Sequence, residues 1–126
     1  MRKNISTYTP SEKRVGYSRA VVINNHMYIT GTTAVDERGN IRGKTLAEQT
    51  EFIFNKIKTV LELGSFSLSD VVIVRAYVPS MKNLFEFDTV FHRYFKTINP
   101  CCTLIGINTL FKSDLLIEIE CMAEKE

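Results

Sequence analysis

Two strongly amphipathic helical segments, separated by a β-rich segment, constrain the fold of this chain more than any other feature. The first begins at Thr45 and places apolar residues on one face: Leu46, Ile53, Ile57, Val60 and Leu61. The second has a similar stripe, formed by Leu84, Phe87, Phe91, Tyr94 and Phe95. A helix with one apolar stripe has to bury it against another element. The alternation of strands with helices predicts that both pack on one face of a mixed sheet.

Local signals predict where both helices begin and end. Thr45 and Glu48 form a capping box, which satisfies amide donors at the start of the first helix. Gly64 is a suitable C-terminal stop for that helix. Ser80 is predicted to cap the second helix, and Pro100 is predicted to end that segment.

The remaining apolar segments are short, rich in β-branched residues and bounded by turn residues. Asn24 and Asn25 tolerate positive φ and suit a two-residue hairpin turn, and Gly31 is predicted to end the strand that follows. The predicted strands cover residues 20–23, 27–30, 71–78, 101–107 and 115–122. The resulting order, β-β-α-β-α-β-β, predicts an α/β (α+β) fold with a mixed sheet, in a single domain over residues 1–126.

Side-chain alternation assigns each strand residue to one of two sheet faces. The helix-covered face is predicted to carry Val72, Val74, Ala76, Val78, Ile117, Ile119 and Cys121. The opposite face is predicted to carry Ile73, Arg75, Tyr77, Glu118, Glu120 and Met122. Two helices leave nothing in this chain to cover the second face. That face is therefore either solvated or shared with other subunits.

Composition excludes several classes of protein. The net charge of +2 comes from basic and acidic residues that are mixed along the chain, so nucleic acid is not indicated as a partner. No apolar run approaches the roughly 20 residues of a membrane span, and no export signal is recognisable, so we expect a cytoplasmic protein. Three cysteines indicate reduced thiols, and His26 lies far from His92, so we expect no metal site.

Short motifs distributed over nearly the whole chain carry a resemblance to a known family. In chain order they are Val15-Gly16-Tyr17-Ser18-Arg19-Ala20, Ile29-Thr30-Gly31-Thr32, Gln49-Thr50, Leu68-Ser69-Asp70-Val71-Val72, Tyr94-Phe95 and Ile117-Glu118-Ile119-Glu120. Together with a strand led by Pro100, they resemble the Rid family (reactive intermediate deaminases of the YjgF type, liver perchloric-acid-soluble protein). No single motif is decisive, but their combination and order are specific.

The resemblance implies a fold, an assembly and an activity. The fold would be chorismate-mutase-like, assembled as a homotrimer in which the helix-free sheet faces form a central barrel. Three sites would lie in clefts between subunits and bind a small carboxylate or imine metabolite. The implied reaction is hydrolysis of imines or enamines, which pyridoxal-phosphate enzymes make from serine or threonine, to a 2-oxo acid and ammonia. The resemblance implies no cofactor and no metal.

The resemblance also implies site residues. Tyr17 would line the cleft, Gly31 would let backbone approach the ligand, and Thr103 would lie on the strand flanking the site. Glu118 would position or polarise the attacking water. The alternative for Glu118 is a non-catalytic role, either at an exposed position or in a salt bridge between subunits.

One position departs from the family pattern in a way that bears on activity. Cys102 stands where the family has its substrate-binding arginine, so the chain resembles an arginine-lacking branch. Losing one partner of a desolvated charge pair costs roughly 2–5 kcal/mol. At about 1.36 kcal/mol per decade, that is roughly a 30- to 5,000-fold loss of activity. Cys102 is itself either a small hydrophobic residue or, if its thiolate were stabilised, a nucleophile or redox sensor.

Other arginines offer compensation for the missing one. Arg75 lies on the uncovered face and is either paired with Glu118 or Glu120, part of a relocated anion clamp, or exposed. Arg14 and Arg19 flank Tyr17, and Arg19 stands where glutamine is usual in the family.

Three functions follow as alternatives. The first is an enzyme that hydrolyses small imines or enamines. The second is a non-catalytic metabolite binder or regulator that keeps the cleft without the chemistry. The third, a ribonuclease or translation inhibitor, would need a basic stripe with stacking aromatics, which the sequence does not display.

Overall fold

The computed structural model describes residues 1–126 as one mixed sheet with two helices packed on one of its faces. The helices are α1 (Leu46–Leu63) and α2 (Leu84–Phe95). The strands are β1 (Arg2–Ile5), β2 (Ala20–Ile23), β3 (His26–Thr32), β4 (Val71–Val78), β5 (Cys101–Gly106) and β6 (Glu118–Glu124). Short helical turns cover Glu12–Gly16 and Leu68–Asp70. No helix is both long and apolar enough to cross a membrane.

The C-terminal strand holds the two halves of the sheet together. The strand order is β1-β2-β3-β6-β4-β5, so β6 lies between the N-terminal strands and β4. Only β4 and β5 pair in parallel, and α2 forms the crossover between them. All other neighbours are antiparallel. The position of β6 brings residues near its start next to β3, where the N-terminal segment also lies.

The helix stripes predicted from the sequence form the core with one sheet face. Aromatic side chains of α2 pack around Phe54 of α1, whose ring centroid lies 5.3 Å from those of both Tyr94 and Phe95. Val74, Ala76 and Val78 of β4 are completely buried beneath the helices. The prediction of two helices on one face of a mixed sheet is confirmed.

Both ends of α1 lie where the sequence predicts them. Thr45 and Glu48 form the full capping box. At the other end Gly64 is the C-cap, and the next residue, Ser65, adopts a left-handed conformation with φ of 65°. The amide of Phe66 donates to the carbonyl of Leu61 at 2.8 Å, so the helix ends in a Schellman motif.

The start of α2 corrects the prediction that Ser80 caps it. The helix begins at Leu84, and its N-cap is Asn83 in a left-handed conformation with φ of 62°. The Ser80 hydroxyl instead accepts a hydrogen bond from the amide of Lys82 at 3.2 Å. The chain after Pro79 therefore makes a local serine turn before the helix starts, because short polar side chains compete for nearby amides.

Irregularities in the sheet contradict two further predictions, the face on which Val72 lies and the residue at which β3 ends. A register shift between Val71 and Ile73 buries Val71 and leaves Val72 exposed, so the prediction that Val72 faces the helices is wrong. Strand β3 continues through Gly31 to Thr32, with a register shift after Ile29, rather than ending at Gly31.

The outer strand β1 and the limits of the last two strands also differ from prediction. Residues 2–5 carry no strand pattern of their own, and they form β1 by pairing with β2. Strand β5 ends at Gly106, one residue before the predicted end. The last strand runs over Glu118–Glu124, whereas Leu115 and Ile117, which were predicted within it, are buried in the loop that precedes it.

The second sheet face has no helix over it, as the sequence indicates. Ile73, Tyr77 and Met122 on this face are each only partly buried. Strand β5, at the sheet edge, exposes every residue except Leu104, which is half-buried. The sheet therefore has one packed face, one open face and one open edge.

The end of α1 gives a prediction about stability. Ser65→Gly should stabilise the protein by about 0.5–1 kcal/mol, because glycine adopts positive φ without the strain of a Cβ. Gly64→Ala is the matched control and should destabilise it, because an added Cβ would lie 3.1 Å from side-chain atoms of Ile5, Val22 and Met27. Thermal unfolding at equal protein concentration measures both. A higher melting temperature for Gly64→Ala, or a lower one for Ser65→Gly, contradicts this account of the helix end.

Candidate functional site

A cavity of about 570 Å³ contains three of the residues that the sequence predicts for the site. Its wall includes Tyr17 after the first helical turn, Gly31 on β3 and Glu118 at the start of β6. Four basic side chains also line it: Arg14, Arg19, Lys56 and Lys112. The only carboxylate in the wall is that of Glu118. Folding has therefore gathered charges that are scattered in the sequence.

The Glu118 carboxylate lies directly against Gly31. A Cβ added at Gly31 would overlap Glu118 Oε2, so no other residue fits at position 31 while Glu118 keeps this position. The resemblance implies that Gly31 lets backbone approach the ligand, and this stays a prediction. The structure adds that the missing side chain at Gly31 leaves space for the Glu118 carboxylate.

Glu118 has the electrostatic character of a proton carrier. The side chain is half-buried and makes no hydrogen bond within the protomer. Desolvation and the charge of Glu120 raise the pKa of Glu118, and the charge of Arg19 opposes them. A carboxylate with free oxygens and a raised pKa can accept a proton from water and return it later.

Arg19 is buried in the wall beside Glu118. Its Nη1 donates to the carbonyl of Gly31 at 3.2 Å and to Thr32 Oγ1 at 3.1 Å. Its Nη2 lies 3.4 Å from Glu12 Oε2, in an ion pair of which both side chains are 4% exposed. The Nε atom is buried without a hydrogen-bond partner. Arg19 thus joins the N-terminal segment to β3 at the base of the cavity.

Glu12 organises the N-terminal segment around that guanidinium. Its carboxylate accepts hydrogen bonds from the hydroxyls of Ser6 and Thr7 at 2.8 Å each and from the amide of Thr9 at 3.2 Å. Burial raises the pKa of Glu12, but hydrogen bonds from Thr7 and Ser6 and the charge of Arg19 outweigh burial and lower it to about 2. Glu12 is therefore ionised wherever the protein is folded near neutral pH.

Tyr17 is held against the same guanidinium. Its ring centroid lies 5.6 Å from the Arg19 guanidinium carbon, and its hydroxyl shares a 2.6 Å hydrogen bond with Ser11 Oγ. A cation above an aromatic face is an attractive contact. These two contacts fix the ring in the cavity wall.

Lys56 is a cavity residue that the sequence analysis missed. Its Nζ donates to Thr9 Oγ1 at 3.1 Å and to the carbonyl of Val35 at 3.2 Å. Desolvation, followed by the charge of Arg19, lowers the pKa of Lys56 to about 8. The available signal was its place in α1, three residues after Ile53 and one before Ile57, at the border of the apolar stripe.

The other three predicted site residues lie outside this cavity. Arg75 Nη1 is 3.5 Å from Glu120 Oε1, so of the alternatives weighed for Arg75 the ion pair with Glu120 is present. Thr103 pairs with Arg75 across the strands and lies on the open face. Cys102 pairs with Val74 and lies on the helix face, where desolvation and the charge of Asp88 raise the pKa of its thiol. That shift disfavours a reactive thiolate.

No cluster of three or more histidine, cysteine, aspartate or glutamate side chains is arranged to hold a metal ion.

The buried ion pair gives a second prediction. Glu12→Gln should destabilise the protein by about 3–5 kcal/mol, because it leaves the Arg19 guanidinium buried without a countercharge. Because the folded pKa of Glu12 is depressed, its contribution is complete above about pH 4.5 and is lost as the pH falls toward 2. Between about pH 4.5 and pH 2, the free energy of unfolding of Glu12→Gln should therefore fall less than that of the native protein. Chemical denaturation at several pH values measures both effects.

A matched control for this variant is Glu124→Gln. Its carboxylate pairs with His26 at 3.5 Å, but both side chains are about half exposed. An exposed pair contributes about 0–1 kcal/mol. Equal destabilisation by both substitutions would contradict the structural importance of the Glu12–Arg19 pair.

Comparisons with known proteins agree with the motifs in the sequence. The family model for endoribonuclease L-PSP matches residues 9–125. A RutC family protein of Saccharolobus solfataricus is 33% identical over 98% of both chains. Another, from Pyrococcus abyssi, is 32% identical over the full length of both. The mitochondrial protein MMF1 of Saccharomyces cerevisiae is 28% identical over 94% of this chain and 87% of its own.

Solved structures show the same fold. A member of the YjgF/YER057c/UK114 family from Mycobacterium tuberculosis superposes with a TM-score of 0.91 and 31% identity, covering 99% of this chain and 100% of the other. Yeast Mmf1 superposes with a TM-score of 0.89 and 25% identity over the whole of both chains. The fold is thus the chorismate-mutase-like one that the resemblance implies. The chain belongs to the endoribonuclease L-PSP family, which is the YjgF/Rid family.

Proposed function

We propose that this protein hydrolyses small imines or enamines that carry a carboxylate, releasing ammonia and a 2-oxo acid, in the cavity at Glu118. The observation that carries the proposal is the Glu118 carboxylate itself, which is half-buried, has a raised pKa and makes no hydrogen bond within the protomer. Membership of the family supports it. The basic side chains around Glu118 suit a ligand with a carboxylate.

The reaction needs water, a proton acceptor and a proton donor. Glu118 can serve as the acceptor and, once protonated, as the donor. Glu118 takes a proton from water, and the resulting hydroxide adds to the carbon of the C=N bond. That proton passes to nitrogen and gives a carbinolamine. Glu118 then moves the proton of the new hydroxyl to nitrogen, so the C–N bond breaks, ammonia leaves and the C=O bond forms. For an enamine, the protonated carboxyl first delivers its proton to the terminal carbon. The raised pKa of Glu118 makes this return of the proton easier.

A homotrimer is the second part of the proposal. In one protomer the predicted site residues fall into two groups: Tyr17, Gly31 and Glu118 in the cavity, and Cys102 and Thr103 on the exposed edge strand β5, with Arg75 beside them on β4. If neighbouring copies cover the open sheet face, the edge of one protomer meets the cavity of the next. Such packing would also bury the partly exposed apolar side chains of the open face.

Cys102 cannot provide a positive charge for the substrate carboxylate, but other residues of the cavity can. An arginine at position 102 would hold a carboxylate through two charge-assisted hydrogen bonds. Arg14 and Arg19 line the same cavity as Glu118, whereas Arg75 is paired with Glu120 outside it. The charge of Arg19 acts on Glu118. These arginines support the enzymatic proposal without the family arginine.

The second candidate is a non-catalytic binder, which the lack of a cation at Cys102 favours. Such a binder would use the same cavity as the enzyme but would release no ammonia. The third alternative, a ribonuclease or translation inhibitor, stays a prediction. The basic side chains gather around one cavity, whereas single-stranded nucleic acid binds along a positively charged groove.

The enzymatic proposal is tested by ammonia release from freshly generated 2-aminoacrylate. Glu118→Gln should lower kcat/KM by roughly 10²–10⁴-fold, because the amide cannot accept and return the proton. The matched control is Glu124→Gln, six residues along the same strand, exposed and outside the cavity, which should change kcat/KM only slightly. Full activity in Glu118→Gln, or an equal loss in Glu124→Gln, contradicts the role of Glu118.

The same assay separates the enzyme from the binder. A native protein that releases no ammonia but binds the 2-oxo acid product is the binder, and the enzymatic proposal then fails. Cys102→Arg restores the family arginine and serves as a positive control. Turnover that appears only in this variant would show that the native site does not use 2-aminoacrylate.

A further inference from the structure

The part of the cavity that one protomer forms is larger than a three-carbon imino acid requires. Its volume of about 570 Å³ is in the range of pockets that hold drug-sized ligands. Bound at Glu118, such a small substrate would leave much of the basic wall without a contact. The basic side chains that such a substrate does not contact are available to contact a larger one.

A chain of hydrogen bonds connects Gly31 to Lys56 through residues of the cavity wall and the segment behind it. Gly31, beneath the reacting carboxylate, accepts from Arg19, which pairs with Glu12. Glu12 accepts from the amide of Thr9, and the Thr9 hydroxyl accepts from Lys56. Three residues thus separate Lys56 from Gly31 in this network. Lys56 and Glu118 both line this cavity, and no hydrogen bond or ion pair joins them directly.

Lys56 has unused capacity for an anion. An ammonium group has three donors, and Lys56 uses two of them on neutral oxygens, those of Thr9 and Val35. No carboxylate lies within ion-pair distance of it. Desolvation and the charge of Arg19 lower the pKa of Lys56 more than the charges of Glu12, Glu37 and Asp36 raise it, so an anion bound next to Lys56 would stabilise its ammonium form.

Two further cations line the same cavity as Lys56. Arg14 and Lys112 line the cavity, and neither side chain makes a hydrogen bond or an ion pair within the protomer. Arg19 adds a buried Nε without a partner. Since Glu118 is the one carboxylate in the wall, the cavity has an excess of positive charge that a single ligand carboxylate does not neutralise.

We infer that the cavity binds ligands with two anionic groups, one beside the reacting carbon near Glu118 and a second at Lys56 and Arg14. The inference rests on the proposed function and names its substrate class, the imines or enamines of amino acids with an anionic side chain. A carboxylate and a phosphate are the two sources of the second charge. Both would accept the free proton of Lys56.

The test compares ligands that differ only in the second anionic group. By calorimetry at low salt, 2-oxoglutarate should bind at least tenfold more tightly than 2-oxopentanoate, which has the same carbon chain without the distal carboxylate. Phosphohydroxypyruvate compared with hydroxypyruvate gives the phosphate arm. A tenfold difference corresponds to about 1.4 kcal/mol, within the range of one charge-assisted contact.

The lysine is tested with a matched variant on the same helix. Lys56→Met should reduce the advantage of the dianion to less than threefold. Lys58→Met removes an exposed lysine outside the cavity and should retain the full advantage. Arg14→Gln, at an exposed position, should reduce the advantage without affecting the fold, and it keeps the test decisive if Lys56→Met is unstable.

Each outcome bears on one claim. Equal affinity for the two members of both pairs, no binding of either member, or an advantage that survives Lys56→Met and Arg14→Gln overturns the second anion site. Ammonia release from 2-aminoacrylate without any preference for dianions leaves the proposed function intact and removes this inference. A clear preference for dianions without ammonia release from any imine keeps the second anion site and contradicts the proposed function.

Discussion

Two helices can bury only one face of a six-stranded sheet, and the rest of the molecule depends on this constraint. The packed face holds the core, while on the open face Tyr77 donates a hydrogen bond to Glu120 and Arg75 forms an ion pair with it. The edge strand β5 is exposed along nearly its whole length. An exposed edge invites pairing or packing with another chain. The proposed trimer answers this constraint and explains why the predicted site residues are divided between two places in one protomer.

The Glu12–Arg19 pair connects this architecture to the chemistry. Both side chains are buried, and together they hold the N-terminal segment against β3. The same guanidinium contacts the Tyr17 ring and opposes the rise in the pKa of Glu118. The stability of the fold and the proposed chemistry therefore depend on the same ion pair.

Local signals predicted much of the fold, and long-range contacts account for what was missed. The capping box at Thr45 and the alternation in β4 are properties of the nearby sequence, so α1 and β4 were placed correctly. Strand β1 exists because it pairs with β2, which no local pattern reveals. Within the site, the motifs brought Tyr17, Gly31 and Glu118 together. Lys56 was missed because only folding brings it against residues 9 and 35.

The central claim is that copies of this chain cover the open sheet face and complete the cavity at Glu118. Native mass spectrometry at micromolar concentration tests it most directly. The account predicts a single species at three times the protomer mass of 14.4 kDa. A stable monomer under the same conditions would leave Glu118 and strand β5 open to solvent and would contradict the account.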